Sequence, residues 1–395
     1  MLLAWGATLP RAVDFESAGA VVSGASRTVC TSEVTVTMSR TLRRPRILVA
    51  LSGGVDSAVA ALTLQLQGWD PVGVHLRLFD GDPESVIEGV CCGDQAASDA
   101  RRVAAHLGIP FYVRDLREAF SREVAATTIA AYARAETPNP CLACNHRVRI
   151  PALLRLAESL NVPTVATGHY VRKLRLGERW YLAEGQDLRR DQSYALYRLS
   201  ADDLARLEFP LGSLDKETVR ARARAVGLPV AEKPASVDLC FAKTAGGVGK
   251  LVAAARPETG QPGPLVDEGG RVVGTHPGIA FVTVGQRSGL HWTRTTPERR
   301  YVAGIDLESG TVAVATRERI ATRAVTLRDP RWHGEPPRRA QARIRYQGPR
   351  LDVEWDGERV RFLEPGPPLA PGQAVVLYAG PRVLGGGTAV GVERG

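Results

Sequence analysis

The chain has 395 residues, 44% of them hydrophobic, which is enough for two or three domains with sizeable cores and excludes disorder throughout. Lys and Arg number 51 against 42 Asp and Glu, and the resulting +9 favours a polyanionic partner such as nucleic acid, although it also serves solubility alone. No apolar run approaches the roughly 20 residues that span a bilayer, and the start of the chain lacks a secretory pattern, so the sequence predicts a soluble, cytoplasmic protein with no membrane partner.

Residues 1–45 precede the first regular pattern. The only methionines are Met1 and Met38, and Met38 stands just before the basic stretch Arg40 to Arg46. The residues ahead of it therefore read as a floppy tail or as an extension upstream of the true start. From Arg46 strand-like and helix-like segments alternate: 47–51, 58–67, 71–78, 95–107, 110–116 and 118–136. A helix-like stretch, 148–160, and a strand, 162–170, follow. The alternation predicts an α/β fold, a doubly wound parallel sheet with a helical insert, over residues 46–249. Residues 216–226 read as an Arg-rich helix stopped by Gly227 and Pro229, either a solvated face or a nucleic-acid surface. Beyond about 250 the texture turns to Gly, Pro and alternating apolar residues, with hairpin signals at Gly269-Gly270, Ser309-Gly310 and Asp356-Gly357. Two smaller, mainly β domains are expected there, over 250–319 and 320–395, the last barrel-like. No internal repeat at a fixed period is visible.

The first strand runs into Ser52-Gly53-Gly54-Val55-Asp56-Ser57 and then a helix. Two glycines let backbone N–H groups approach an anion, and the helix that follows adds the positive end of its dipole. No Lys-Ser or Lys-Thr pair follows at Walker-loop spacing. Asp56 inside an anion cradle would repel phosphate unless a divalent cation lies between them, so the motif implies a magnesium nucleotide. The strand 162–170 ends in Thr167-Gly168-His169-Tyr170, and ligands collect at such carboxyl ends, so both motifs point to one crevice. His169 is placed there to contact nucleotide or base, whereas His75 and His106 read as packed or solvated.

Six cysteines fall at positions 30, 91, 92, 141, 144 and 240, a pattern that suggests catalysis or metal rather than a disulfide framework. Thr137-Pro138-Asn139-Pro140 stiffens a turn before Cys141-Leu142-Ala143-Cys144, and an Arg-rich helix follows. A helix amino terminus with His146, Arg147 and Arg149 nearby favours thiolate. A matching second Cys pair for a zinc site is absent. Cys240 alone reads as a buried thiol, the Cys91-Cys92 pair as structural, and Cys30 receives no role.

The Ser52–Ser57 string resembles the loop of the ATP pyrophosphatase superfamily, whose sheet is of the adenine nucleotide alpha hydrolase type. Asn139-Pro140, Cys144-Asn145, Ala166 to Tyr170, Asp191 to Tyr194, Cys240-Phe241, Gly285 to Leu290 and Arg345-Tyr346 occur in the order seen in the bacterial tRNA-specific 2-thiouridylases, the MnmA family. The resemblance runs from about Arg46 to the carboxyl terminus. It implies that ATP with Mg2+ adenylates the 2-carbonyl of the wobble uridine of a tRNA, after which sulfur replaces AMP. It implies nucleotide contacts by Ala50, Leu51, Ser52, Gly53, Gly54, Val55, Asp56, Ser57, Leu76 and Gly168. Asn139, Pro140 and Cys141 would face the target base, and Arg190, Asp191, Gln192, Arg345 and Tyr346 would touch tRNA.

By the same resemblance Cys240 carries a persulfide loaded by a sulfur-relay protein or a cysteine desulfurase, Cys144 is the nucleophile, and the two close as a disulfide when sulfur leaves. Some members carry Asp where this chain has Cys141. Here Cys141, Cys144 and Cys240 would instead give three soft ligands for a 4Fe-4S cluster, a rival to the preferred persulfide route. Tyr194 and Tyr346 are candidates for stacking on an anticodon-loop base, and a monomer is expected. A synthetase or ligase of the same superfamily would not need two separated thiols. An RNA-binding protein with a vestigial nucleotide site would show no nucleotide turnover.

Overall fold

In chain order the strands begin with β1 (Arg46–Ala50), β2 (Asp70–Arg77), β3 (Phe111–Asp115), β4 (Thr164–Ala166), the hairpin β5 (Val171–Leu176) and β6 (Arg179–Glu184), and β7 (Leu207–Glu208). The computed structural model describes residues 44–79, 94–234, 246–293 and 298–395. Cys30, Cys91, Cys92 and Cys240 lie outside the described residues, as does the stretch expected to be a tail. Residues 44–395 form one compact unit, and among the described residues no helix is long and apolar enough to cross a membrane.

Five strands make a parallel sheet in the order β3-β2-β1-β4-β7. Its central strand explains why both faces are covered. Ile47 and Val49 point into one core, shared with Ala58 of helix α1 (Val55–Leu66), Val103 of helix α2 (Asp94–Leu107) and Val219. Leu48 points into the other, shared with Val74, Val148 and Leu153. A strand apolar on both faces can only be buried on both, and each fully buried Val or Leu contributes about 1.5–3 kcal/mol. The sheet is thus doubly wound. Strand order reverses between β1 and β4, which opens a crevice at their carboxyl ends.

Three elements differ from the sequence pattern. The helix expected over 118–136 is three consecutive pieces from Arg117 to Tyr132, with a π-helical segment at Ser121–Ala125. The strand expected over 162–170 is regular only at Thr164–Ala166, because the residues after it turn out to line the crevice. The hairpin β5–β6 has no counterpart in the periodicity, since its residues pair outside the parallel sheet.

A second sheet contains β8 (Gly263–Val266), β9 (Val272–His276), β10 (His291–Trp292), β11 (Arg300–Ile305) and β12 (Val312–Thr316), in the order β10-β9-β8-β12-β11. The last six strands are β13 (Thr322–Trp332), β14 (Arg339–Arg343), β15 (Leu351–Trp355), β16 (Arg359–Gly366), β17 (Ala374–Ala379) and β18 (Arg382–Arg394). They close into an antiparallel barrel because β13 pairs with both β16 and β18. β6 joins the barrel sheet at Ala183, opposite Arg382. The sheet of the last domain is therefore continuous with a hairpin of the first.

A buried ionic knot holds that junction. Arg343 of the barrel donates to Asp191 at 2.7 Å and pairs with Glu184 at 2.8 Å, while Arg350 also reaches Glu184. Both guanidinium groups lie over the Tyr378 ring, at 5.4 and 4.1 Å. Burial alone would lower the Arg343 pKa, but the surrounding Tyr378, Glu184 and Asp191 raise it. Asp191 is 1% exposed and also accepts from the Ser193 hydroxyl at 2.8 Å. Removing one partner of such a cluster strands the others. Arg343→Ala is expected to lower stability by about 3–5 kcal/mol in denaturant titration, and a loss below about 1 kcal/mol would show that the knot does not hold the domains.

Candidate active site

The crevice is built on the turn after β1. Gly53 has φ +71°, and a Cβ there would run into the Ala96 carbonyl, so only glycine fits. Gly54 caps α1 without a side chain, so no side-chain acceptor ties up the first-turn N–H groups and they stay available to an anion. Ser57 folds back instead. Its Oγ accepts from the Ser52 N–H at 3.1 Å and donates to the Gly54 carbonyl at 3.0 Å, which fixes the loop. Gly168, just past β4, presses on the same loop, where a Cβ would stand 2.8 Å from the Ser57 nitrogen.

Asp56 is charge-compensated from a distance. Its Oδ1 accepts from the Tyr170 hydroxyl at 2.6 Å and from the Lys216 ammonium. Lys216 opens the helix Lys216–Ala225, whose start is capped by Asp215 accepting from the Thr218 N–H at 2.7 Å. Burial pushes the Lys216 pKa down and Asp56 opposes it. Burial and then Asp56 push the Tyr170 phenol well up, so it stays protonated and donates. A second ammonium, Lys233, donates to the Gly53 carbonyl at 3.0 Å and to Asp99. Burial raises the Asp99 carboxyl, but hydrogen bonds from Lys233 and Arg102 outweigh it and hold it below its ordinary value.

Neither lysine is legible in the sequence pattern. Lys216 is part of what reads as an Arg-rich, solvated helix, and the only available signal is its place directly after the capping Asp215. Among the described residues no three His, Cys, Asp or Glu side chains gather to hold a metal. With Lys216 already on Asp56, the donor set fits a divalent ion only as one that arrives with nucleotide phosphates.

Of the nucleotide set, Ala50, Leu51, Ser52, Asp56, Ser57, Leu76 and Gly168 line one cleft. Gly53, Gly54 and Val55 form the floor of the turn rather than the lining. His169 lines the cleft too, its Nδ1 2.8 Å from the Thr167 hydroxyl. Of the tRNA set, Arg190, Gln192 and Tyr346 reach this cleft, Tyr346 from the barrel. Asp191 does not, being consumed in the knot with Arg343. Arg345 is exposed and donates to the Pro368 carbonyl at 2.8 Å. Tyr194, a candidate for base stacking, is buried with its hydroxyl given to the Ala374 carbonyl at 2.9 Å, so it is core.

The thiol turn lies beside a second cleft. Asn139 Oδ1 accepts from the Cys141 N–H at 2.9 Å, capping the short helix Pro140–Ala143, which Pro140 starts. Asn139 and Pro140 line that second cleft. Cys141 is half-buried, and Cys144 is buried in the core cluster with Val148 and Phe120. The helical run continues to Ile150 and Leu153, which line the first cleft, so one rod connects the two.

His146 does not supply the positive charge expected beside Cys144. Burial, and then the charges of Arg198, Arg331 and Arg147, push its pKa down to about 4. It is neutral at physiological pH.

The parallel sheet with an anion-binding turn at its switch point defines a nucleotide-binding α/β domain, here joined to two β domains. Family models for a "tRNA methyl transferase HUP domain", a "tRNA methyl transferase PRC-barrel domain" and an "Aminomethyltransferase beta-barrel domain" match residues 45–244, 252–316 and 322–389. The chain is 43% identical over 359 residues to the tRNA-specific 2-thiouridylase MnmA of Moorella thermoacetica, covering 88% of this chain and all of that one. The relative of the same name from Methylobacterium radiotolerans is 43% identical, covering 87% of this chain and 93% of its own length. That from Symbiobacterium thermophilum is 40% identical, over 88% and 92% respectively. The chain belongs to the tRNA-specific 2-thiouridylase family.

Two outcomes check the site. Lys216→Ala is expected to weaken ATP binding about 10–100-fold, and adding Asp56→Asn should recover part of the loss because no uncompensated carboxylate then faces the phosphates. Unchanged affinity in Lys216→Ala would contradict the charge argument. The imidazole of His146 should titrate near 4 by NMR. The neutral form is the one the fold favours, so its contribution to stability is present above about 6.5 and is lost as pH falls towards 4. A midpoint near 6.5 would contradict the burial.

Proposed function

We propose that this chain is a tRNA 2-thiouridylase that uses ATP to activate the wobble uridine and a cysteine pair to deliver sulfur. One observation carries the reading beyond family membership: residues of the anion-binding turn, Lys216, and Arg190, Gln192 and Tyr346, which are expected to touch tRNA, line one cleft. ATP, with magnesium on its phosphates, sits in the Ser52–Ser57 turn. The uridine 2-oxygen attacks the α-phosphorus and pyrophosphate leaves, its charge met by the first-turn N–H groups of α1 and by Lys216. The terminal sulfur of a Cys240 persulfide attacks C2 and AMP leaves. The Cys144 thiolate then attacks the Cys240 sulfur, which forms the Cys144–Cys240 disulfide and releases 2-thiouridine. A relay protein or a cysteine desulfurase reloads Cys240 after reduction.

Two anchors support the pairing. Lys233, seven residues before Cys240, is tied to Gly53 of the turn. The helix Val248–Ala255, which begins eight residues after Cys240, packs Val248 and Leu251 against the cluster that holds Cys144. A second reading, in which Cys141, Cys144 and Cys240 hold a 4Fe-4S cluster, is favoured by two of these residues sharing a single helical turn. Thiolates would supply its soft ligands.

Cys144→Ser and Cys240→Ser should each abolish 2-thiouridine formation while ATP affinity stays within about twofold of wild type. Thiolation at the wild-type rate by either variant would remove the pair from the reaction. Stoichiometric iron and sulfide after anaerobic purification would replace the persulfide route with the cluster.

A further inference from the structure

The second cleft lies between the helical layer and the barrel, apart from the nucleotide cleft, and the Asn139–Pro140 turn is the one sequence motif in its lining. Its walls carry Arg134 and Arg147 on the helical side, Arg198 between, and Arg328 on the barrel side, against two carboxylates, Glu136 and Asp329. Glu136 is shared by Arg134 and Arg328, each at 3.3 Å, which spends its charge on the rim. Arg198 is held rigid, giving its Nε–H to the Tyr197 hydroxyl at 2.9 Å and an Nη2–H to the Asp329 carbonyl at 3.0 Å. Arg147 is exposed and makes no hydrogen bond or ion pair among the described residues. His146 also lines this cleft; burial first, and then the charges of Arg198, Arg331 and Arg147, keep it neutral, so it adds no charge of its own.

A concave site with one fixed guanidinium, Arg198, and an exposed one, Arg147, in the same lining suits a ligand with multiply accepting anionic groups, and phosphodiesters are the natural match. Position selects among anions. The floor of the cleft is the Asn139–Pro140 turn, and the rod that starts there runs through Cys144 to the wall of the nucleotide cleft. An RNA strand whose base is turned towards the thiol turn must leave its neighbouring phosphates close to that turn, and single-stranded loops are splayed in this way. We propose that the arginine-lined second cleft binds the phosphodiester backbone of the RNA substrate next to the target nucleotide.

This inference rests on the thiouridylase reading but is tested apart from it. Arg147→Gln removes an exposed side chain that has no hydrogen bond or ion pair among the described residues, so thermal unfolding should be unchanged. The double variant Arg147→Gln/Arg328→Gln is the stronger probe. With an anticodon stem-loop RNA, Arg147→Gln should weaken binding about tenfold and the double variant further. The slope of log K against log salt should fall by about one for each phosphate that the variant no longer neutralises. ATP affinity should be unaltered in both. If the wild type thiolates tRNA while both variants bind the stem-loop with wild-type affinity and salt slope, the cleft proposal is overturned and the proposed function stands. Loss of thiolation only when sulfur comes from a donor protein, with RNA binding intact, would assign the cleft to that protein and likewise overturn it. If the variants lose RNA affinity as expected but the wild type forms no 2-thiouridine with a competent donor, the cleft stands and the proposed function fails.

Discussion

A carboxylate in the first turn of an anion-binding helix must be neutralised before phosphate can approach, and everything at this site depends on how that is done. Asp56 is neutralised by Lys216 from a helix 160 positions further along the chain, with Tyr170 donating beside it. The arrangement joins three elements at one atom. It aligns α1, the residues after β4 and the helix Lys216–Ala225, and it places an ammonium in the wall of the cleft. Gly168 pressed on Ser57 completes the packing, because any side chain there would push the turn away from the sheet.

The second constraint is the junction between the sheet domain and the barrel. Arg343 and Arg350 reach across to Glu184 and Asp191, and Thr137 of the proline turn donates its N–H to the Pro371 carbonyl at 2.7 Å. These contacts fix the barrel against both clefts. Tyr346 can therefore be part of the nucleotide cleft, and Arg328 can line the second cleft together with Arg147, although each comes from a different domain than its neighbours. A substrate as large as a folded RNA needs such a fixed surface, since flexible jaws would cost conformational entropy at every encounter.

Much of this is legible in the residues. The continuous apolar run at 47–51 announces a strand buried on both faces, 71–78 reads as a second strand, and the glycine turn with Asp56 announces a phosphate site. What stays hidden is long-range pairing. Nothing local distinguishes Lys216 from the solvated arginines that follow it, or Asp191 from a residue that faces RNA. Only the fold shows that one meets Asp56 and the other Arg343. His146 is the reverse case. Its neighbours in sequence suggest a helper for the thiol, whereas burial and nearby arginines leave it uncharged. Tyr194 is likewise reassigned by burial alone, because an aromatic beside a polar motif has the same appearance in sequence whether it stacks on a base or fills a core.

The central claim is that the nucleotide cleft and the thiol turn serve one modified base. Its most direct test is mass-spectrometric nucleoside analysis of tRNA from cells that lack this chain. The account predicts that 2-thiouridine derivatives disappear from the wobble position and return when the intact chain is supplied. Wobble 2-thiouridine at normal levels in the deleted cells would contradict it.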